Sequence, residues 1–338
     1  MVRIYHMTGN RPLQTLIWIM TLNRRNLILT GMAAALIPAS AVKASGPLNV
    51  VATTGMIADA AQFILGDVGQ VTALMGAGID PHSFRQTRSD IVAMTRADQI
   101  LWHGLYLEAQ MEEFLNNLAR SRDVVAVAES LPKDQLLSHP DYAGRYDPHL
   151  WMAPQLWSEV VTAIADALQT ARPDLAPTLE ARMQEYRATL DRLHGYAQEV
   201  LGTVPENARV LVTAHDAFSY FGRAYGFEVL GIQGISTESE AGLNRIRQLV
   251  NTLVERKIGA VFVETSVSDR NMRALIEGAA AKGHKVVIGG ELYSDAMGEP
   301  GTYEGTYPGM IDHNVTTIGR ALGGSAPLRG LENKLGTL

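Results

Sequence analysis

The sequence predicts an α/β protein of two domains with parallel sheets, joined by one long helix. Three observations carry that expectation. Short runs rich in β-branched residues alternate with helical stretches from Pro47 onward, the same rhythm restarts near Ala208, and an unbroken amphipathic segment lies between the two. Strands that alternate with helices pair in parallel, because each crossover lays a helix on a face of the sheet.

In the first half, "LNVVAT" reads as a strand followed by a helix over "IADAAQFILGD". "VGQVTALM" reads as a second strand that leads into a loop carrying Asp80-Pro81-His82. The strand "ADQILWHG" precedes a helix expected from Leu107 to Leu118, and "RDVVAVAE" leads to a loop carrying Asp147-Pro148-His149. In the second half, "ARVLVTAHDAF", "FEVLGI", "IGAVFVET" and "HKVVIGGELYSD" supply the strands. Between the halves Leu175, Leu179, Met183, Tyr186, Leu190, Leu193, Ala197 and Leu201 fall three or four residues apart, which is the spacing of one helix face. A helix from Asp174 to Leu201 spans ~42 Å, enough to run the length of a domain as a stiff connector, unlike a Gly/Ser linker. The expected organisation is therefore residues 1–44 as an export signal, 45–173 as the first lobe, 174–201 as the connector and 202–338 as the second lobe.

Composition excludes several classes. With 46% hydrophobic and 19% charged residues among 338, the chain has ample apolar material for cores, and neither disorder nor a coiled coil is expected. The first 44 residues hold five basic side chains and no acid, which leaves 24 basic against 35 acidic residues in the remainder, a formal charge of −11. That balance argues against a nucleic-acid partner. The stretch "NRRNLILTGMAAALIPASAVKA" has a charged start at Arg24-Arg25, an apolar run from Leu27, a break at Pro38 and small residues ending at Ala44, the pattern of a cleavable export signal. The run is too short and too interrupted for a membrane span. The paired arginines also look like a twin-arginine signal, so the Sec and twin-arginine routes both stay open, and Met20 offers an alternative start. There is no cysteine, so no disulfide, no thiolate ligand and no lipid-bearing N-terminal Cys is expected, and a freely diffusing periplasmic monomer is the expected mature form.

One tripeptide, Asp-Pro-His, occurs twice, 67 residues apart, where composition predicts far fewer than one chance copy. His82, His149, His215 in "LVTAHDAF" and Asp295 in "GGELYSDAM" are read as standing past the carboxyl ends of strands, where open parallel sheets bind ligands. Two facing domains would bring four such side chains to one point, two from each. The proline extends the preceding Asp and stiffens the turn that presents the imidazole. Asp80 and Asp147 are expected to accept hydrogen bonds from a ligating ring or from nearby backbone, as groups that orient metal ligands do. An Asp-Pro pair is also an ordinary turn starter.

The other histidines read as surface or packing residues: His194 on the connector, His284 at a strand start, His313 in the last helix and His139 in a polar loop. His103 ends a strand and could reach the rim of the cleft, packing being the favoured reading, and Glu264 ends another strand near where a carboxylate could join the site or orient a ligand. No His-Glu-x-x-His helix, dinucleotide fingerprint, phosphate loop or nucleophile elbow is present. Familiar catalytic machinery is missing, and no enzyme is expected.

The segments "GIDPHSF", "DPHLW", "TAHDAFSYFGRAYGFEVLG", "GISTESE", "GGELYSDAMG" and "GTYEGTYPGMIDHN", in that order around the long helix, make the chain from Leu48 to Gly323 resemble the TroA-like zinc/manganese solute-binding proteins of bacterial ABC importers. The resemblance implies two Rossmann-like lobes joined by one rigid α-helix, a divalent metal held in the inter-lobe cleft, and delivery of that metal to a permease in the inner membrane. It assigns the four metal ligands to His82, His149, His215 and Asp295. Its third ligand is often Glu in manganese- or iron-associated members and is His here. The long His- and Asp-rich loop of many zinc-associated members is absent between His82 and His149. Three imidazoles and a carboxylate suit Zn2+, which outbinds Mn2+ at such a site, while Mn2+ or Fe2+ becomes the cargo if supply and permease select it. A metal-dependent hydrolase, or an adhesin or metallochaperone on the same scaffold, is the competing expectation.

Overall fold

The first half of the chain builds one four-stranded parallel sheet, in the order β2-β1-β3-β4, from β1 (Leu48–Ala52), β2 (Gly69–Ala73), β3 (Gln99–Trp102) and β4 (Val124–Ala126). Leu48 pairs with Gly69, Val50 with Gln99 and Ile100 with Val124. In this computed structural model residues 46–138 and 144–336 are described, so the expected export signal and His139 lie outside them. Among the described residues no helix is long and apolar enough to cross a membrane.

Helices cover the sheet as the crossovers require: α1 (Gly55–Leu65), α2 (Arg88–Arg96), α3 (Glu112–Leu118) and α4 (Pro154–Ala171). Thr87 and Asp90 close a reciprocal cap at the start of α2, satisfying backbone N–H groups that the first turn leaves free. The expected helix from Leu107 begins only at Glu112. Leu105 and Tyr106 take positive φ, and the Glu108 carboxylate is drawn inward to accept hydrogen bonds from the Thr53 hydroxyl and from the His103 and Gly104 N–H groups, which holds this stretch in a turn.

The connector is α5 (Ala176–Gly202), preceded by a 3-10 turn at Pro173–Leu175. Seven of the eight residues in its expected apolar stripe are buried, Leu175 being half-buried, and Tyr196 and Val200 join them. Its face packs on α4 and α1 on one side and on helices of the second half on the other. The second half contributes β5 (Val210–Thr213), α6 (Ser219–Tyr225), β6 (Glu228–Gly231), α7 (Leu243–Arg256), β7 (Ala260–Glu264), α8 (Arg270–Ala281), β8 (Val287–Leu292) and α9 (Tyr307–Ala321). The strands pair in parallel, β5 with β6 and β7 with β8, and β5 lies beside β7.

The fold is thus α/β with two lobes on parallel sheets. One apolar core runs from Val50 and Ile57 through Trp157, Leu190 and Leu193 to Phe262, Met310 and Ile318, so the lobes share buried surface. Polar bonds fasten the connector to both: the Tyr186 hydroxyl donates to Asp59 at 2.7 Å, and Tyr196 meets Thr316 at 2.7 Å. Each large side chain buried there is worth about 1.5–3 kcal/mol, and wide opening would expose many together. The lobes are therefore confined to small relative movements.

Candidate metal centre

The two Asp-Pro-His units fold into the same turn. In each, the Asp Oδ1 accepts the N–H of the His two residues on, at 2.9 Å, while proline fixes the residue between. The first turn follows β2. The second lies well beyond β4, ahead of a 3-10 turn at Leu150–Met152, so the strand-end expectation does not hold for His149. His215 stands two residues after β5, with the Thr213 hydroxyl donating to its carbonyl at 2.7 Å, and Asp295 stands three residues after β8.

These turns bring His82, His149, His215 and Asp295 together, with one candidate ligand atom from each lying within 4.8 Å of the others. His82 Nε2 is 3.3 Å from His149 Nε2, which is 3.4 Å from His215 Nε2 and 3.4 Å from Asp295 Oδ1. His215 Nε2 lies 3.2 Å from Asp295 Oδ2. All four residues are buried, none more than 2% exposed. Asp295 Oδ1 makes no well-aligned hydrogen bond among the described residues and faces only the long 3.4 Å contact from His149 Nε2, so a cation would be a better partner for it. A cavity of about 280 Å³, lined in part by Gly55, Met75 and Met297, reaches Asp295.

The rings are aimed from behind. Asp147 Oδ1 lies 2.7 Å from His149 Nδ1, and Glu264 Oε2 lies 2.5 Å from His215 Nδ1 while its Oε1 accepts the His215 N–H at 2.9 Å. Each contact fixes the ring orientation that leaves Nε2 pointing into the cluster. Asp80 behaves differently from its twin: toward His82 it holds the backbone N–H and not the ring. Glu264 orients a ring, one of the two roles the sequence allows it.

Electrostatics follow from burial and from these carboxylates. Burial pushes His82 down to about 3, keeping it neutral, with the neighbouring imidazoles adding to the effect against the pull of Asp295. Burial would depress His149 too, but Asp147 and Asp295 outweigh it and raise the ring to about 9. His215 is raised well above its ordinary value, burial being outweighed by Asp295 and Glu264. For Asp295 burial opposes ionisation, yet His215 and His149 hold it well below the usual carboxylate range. The buried cluster gathers three imidazoles and a carboxylate, the donor set that attracts a divalent cation.

His103 is not at the rim. It is fully buried, its ring stacked on Trp157 at 6.3 Å and edge-on to Trp151 at 5.2 Å, and neither ring nitrogen finds a partner among the described residues. The remaining described histidines bond elsewhere: His194 with the Tyr225 hydroxyl, His284 with the Ile258 carbonyl and His313 with the Glu291 carbonyl. Sequence reasoning gave no role to Tyr220, Trp151 and Tyr307, which brace the His149 turn through the Asp147, Ser294 and Trp151 carbonyls. Their only sequence signal was position inside the matching segments.

A family profile described as zinc-uptake complex component A, periplasmic (ZnuA), matches residues 50–321. The chain is 47% identical over 276 residues to the manganese-binding lipoprotein MntA of Bacillus subtilis (strain 168), covering 81% of this chain and 90% of the relative. It is 46% identical over 296 residues to the zinc-binding protein TroA of Treponema pallidum (strain Nichols), covering 87% of this chain and 95% of the relative. The solved structure of the periplasmic zinc-binding protein TroA from Treponema pallidum superposes with a TM-score of 0.80 at 45% identity, covering 82% of this chain and 99% of that one. With two lobes, a shared connector and a buried cluster of three imidazoles and one carboxylate, this chain belongs to the ZnuA family, the solute-binding proteins of metal ABC transporters.

Proposed function

We propose that the protein captures one divalent transition-metal ion between its lobes, with His82, His149, His215 and Asp295 as the complete ligand set, and delivers it to an ABC permease in the inner membrane for uptake. The observation that carries this reading is the convergence of four buried ligand atoms from both lobes within 4.8 Å of one another. Spacing supports a four-coordinate ion. A tetrahedral centre with bonds of about 2.0–2.1 Å sets its ligand atoms about 3.3–3.4 Å apart along each edge. Four contacts among these groups measure 3.2–3.4 Å, with His149 facing Oδ1 and His215 facing Oδ2 of Asp295, so the carboxylate can offer either oxygen or both to the ion.

Zinc is the favoured cargo on this chemistry, because nitrogen-rich sites hold Zn2+ more tightly than Mn2+ or Fe2+. Manganese comes next, supported by the naming of one relative for manganese and another for zinc. The role is capture without catalysis: the ion exchanges its water for protein ligands, and a complete ligand set leaves no position for an activated water. The export pattern ending at Ala44 supports work in the periplasm, and the lobes are assigned to residues 45–173 and 202–338 with the connector between them.

The test is a metal titration of purified metal-free protein. Wild type should bind one equivalent of Zn2+, and His149→Ala should lose stoichiometric tight binding; tight binding retained in that variant would overturn the ligand assignment. Elemental analysis of protein taken from its native periplasm then reports the cargo.

A further inference from the structure

The four proposed ligands are held on unequal terms. His215 and Asp295 belong to the second lobe. The His149 turn, although it comes from the first half of the chain, is bolted to that lobe by buried bonds: the Tyr220 hydroxyl donates to the Asp147 carbonyl at 2.8 Å, the Trp151 indole N–H donates to the Ser294 carbonyl at 2.7 Å, and the Tyr307 hydroxyl donates to the Trp151 carbonyl at 2.8 Å. Three ligands are therefore braced on one lobe.

His82 has no such bracing. Asp80 Oδ1 is engaged locally with the His82 N–H, and Oδ2 accepts from the Ser83 hydroxyl at 2.9 Å and, across the cleft, from the Thr237 hydroxyl at 2.6 Å. Among the described residues, and apart from the ligand cluster itself, this is the one hydrogen bond that joins the first turn to the second lobe. Thr237 sits in the segment that follows β6 and crosses to the first lobe. That segment is shaped by its own bonds, Gln233 Nε2 to the Ser239 carbonyl at 3.0 Å and the Glu238 N–H to the buried Ser236 hydroxyl at 3.3 Å. It is anchored on both sides, by Gln110 on Glu238 and by Asn271 on Glu240.

We propose that Thr237 is a positioning residue for metal retention: its hydroxyl holds the Asp80 carboxylate, which fixes the backbone of His82 and keeps that ring closed on an ion already held by the other three ligands. Thr237 does not touch the ion. Release starts when the Thr237 to Asp80 bond breaks and His82 withdraws, leaving a three-ligand site open to water or to a competing donor. The proposal rests on the ligand assignment above. Groups that orient metal ligands through one intermediary change affinity by about 10–100-fold when removed. Because association still requires the same encounter, the change falls on the dissociation rate.

The experiment compares Thr237→Val, which keeps the shape and removes the hydroxyl, with Thr237→Ser, which restores it. Zinc dissociation into excess chromophoric chelator should be about 10–100-fold faster in Thr237→Val and near wild type in Thr237→Ser, with metal-free melting temperatures alike in all three. Zinc dissociation from Thr237→Val within twofold of wild type would overturn the proposal, as would equal acceleration in both variants or a matching loss of metal-free stability. Amide exchange of the metal-free proteins reads the same contact without any ion. His82 N–H should exchange faster in Thr237→Val than in wild type, and unchanged exchange counts against the proposal even if the ligand assignment itself fails the titration.

Discussion

Glu264 gives both carboxylate oxygens to one residue, His215, 49 positions earlier: Oε1 takes its backbone N–H at 2.9 Å and Oε2 faces its Nδ1 at 2.5 Å. Two adjacent strands, β5 and β7, make this grip by ending side by side. The ring cannot rotate away from the cluster without breaking a charge-assisted bond in a site from which water is excluded.

Glu264→Gln should therefore bind zinc about 10–100-fold more weakly than wild type while still taking one equivalent, and Asp147→Asn should act alike through His149. Neither carboxylate is assigned to the ion, so each substitution weakens a ligand without deleting it. Competition against a chelator of known affinity measures both. Affinities unchanged from wild type would show that these carboxylates do not tune the rings.

Acid should release the metal. Each imidazole binds an ion only through a nitrogen that carries no proton, so protons and metal compete for the same atoms, and the conditional affinity falls as pH falls. Measured zinc affinity should decline steadily from about pH 9 to about pH 5, because His149, raised to about 9, and His215, raised well above its ordinary value, carry protons through that range that the ion must displace. A flat profile would mean that imidazoles are not the donors.

The α/β architecture was legible because strands such as Val210–Thr213 are β-branched, apolar runs next to helical stretches, a pattern that sheet burial demands. The connector was legible because its stripe survives over 27 residues. The different behaviour of the two Asp-Pro-His units was not. Their tripeptides are identical, and only the distant Tyr220, which holds Asp147, and Thr237, which holds Asp80, tell them apart. The full burial of His103 was not legible for a related reason. A strand-end histidine is ordinarily exposed, but here Trp151 and Trp157, both far along the chain, enclose it. Local pattern gives elements; contacts of long sequence separation decide where a given side chain faces.

Glu108 offers a test of the fold away from the site. Its carboxyl is fully buried, and burial raises it above its ordinary value despite the bonds from Thr53, His103 and Gly104. A group with a raised folded-state value binds its proton more tightly when folded, so ionisation costs stability at neutral pH, and that cost is relieved as pH falls through the folded value. Glu108→Gln, which stays neutral, should gain most relative to wild type near neutral pH and lose that relative gain on acidification. Thermal melts of the two metal-free proteins as a function of pH give the difference directly. A difference that does not vary with pH would mean that the carboxyl titrates in the folded protein as it does in the unfolded chain.

Cobalt substitution separates a carrier from a hydrolase. A hydrolytic centre needs a vacant or water-filled position beside a general base, and water on such an ion ionises near neutral pH. If His82, His149, His215 and Asp295 fill the coordination sphere, Co2+ bound in their place has no such water. Its visible spectrum should then be intense, as for a four-coordinate ion, and should keep its shape from about pH 6 to about pH 9, the range in which a metal-bound water would titrate. The carboxylates behind the rings act in the same direction, because Asp147 and Glu264 are occupied by His149 and His215 and neither is free to serve as a base. A band that shifts with a midpoint near neutral pH would reveal an ionising water, and the closed, non-catalytic site proposed here would be wrong.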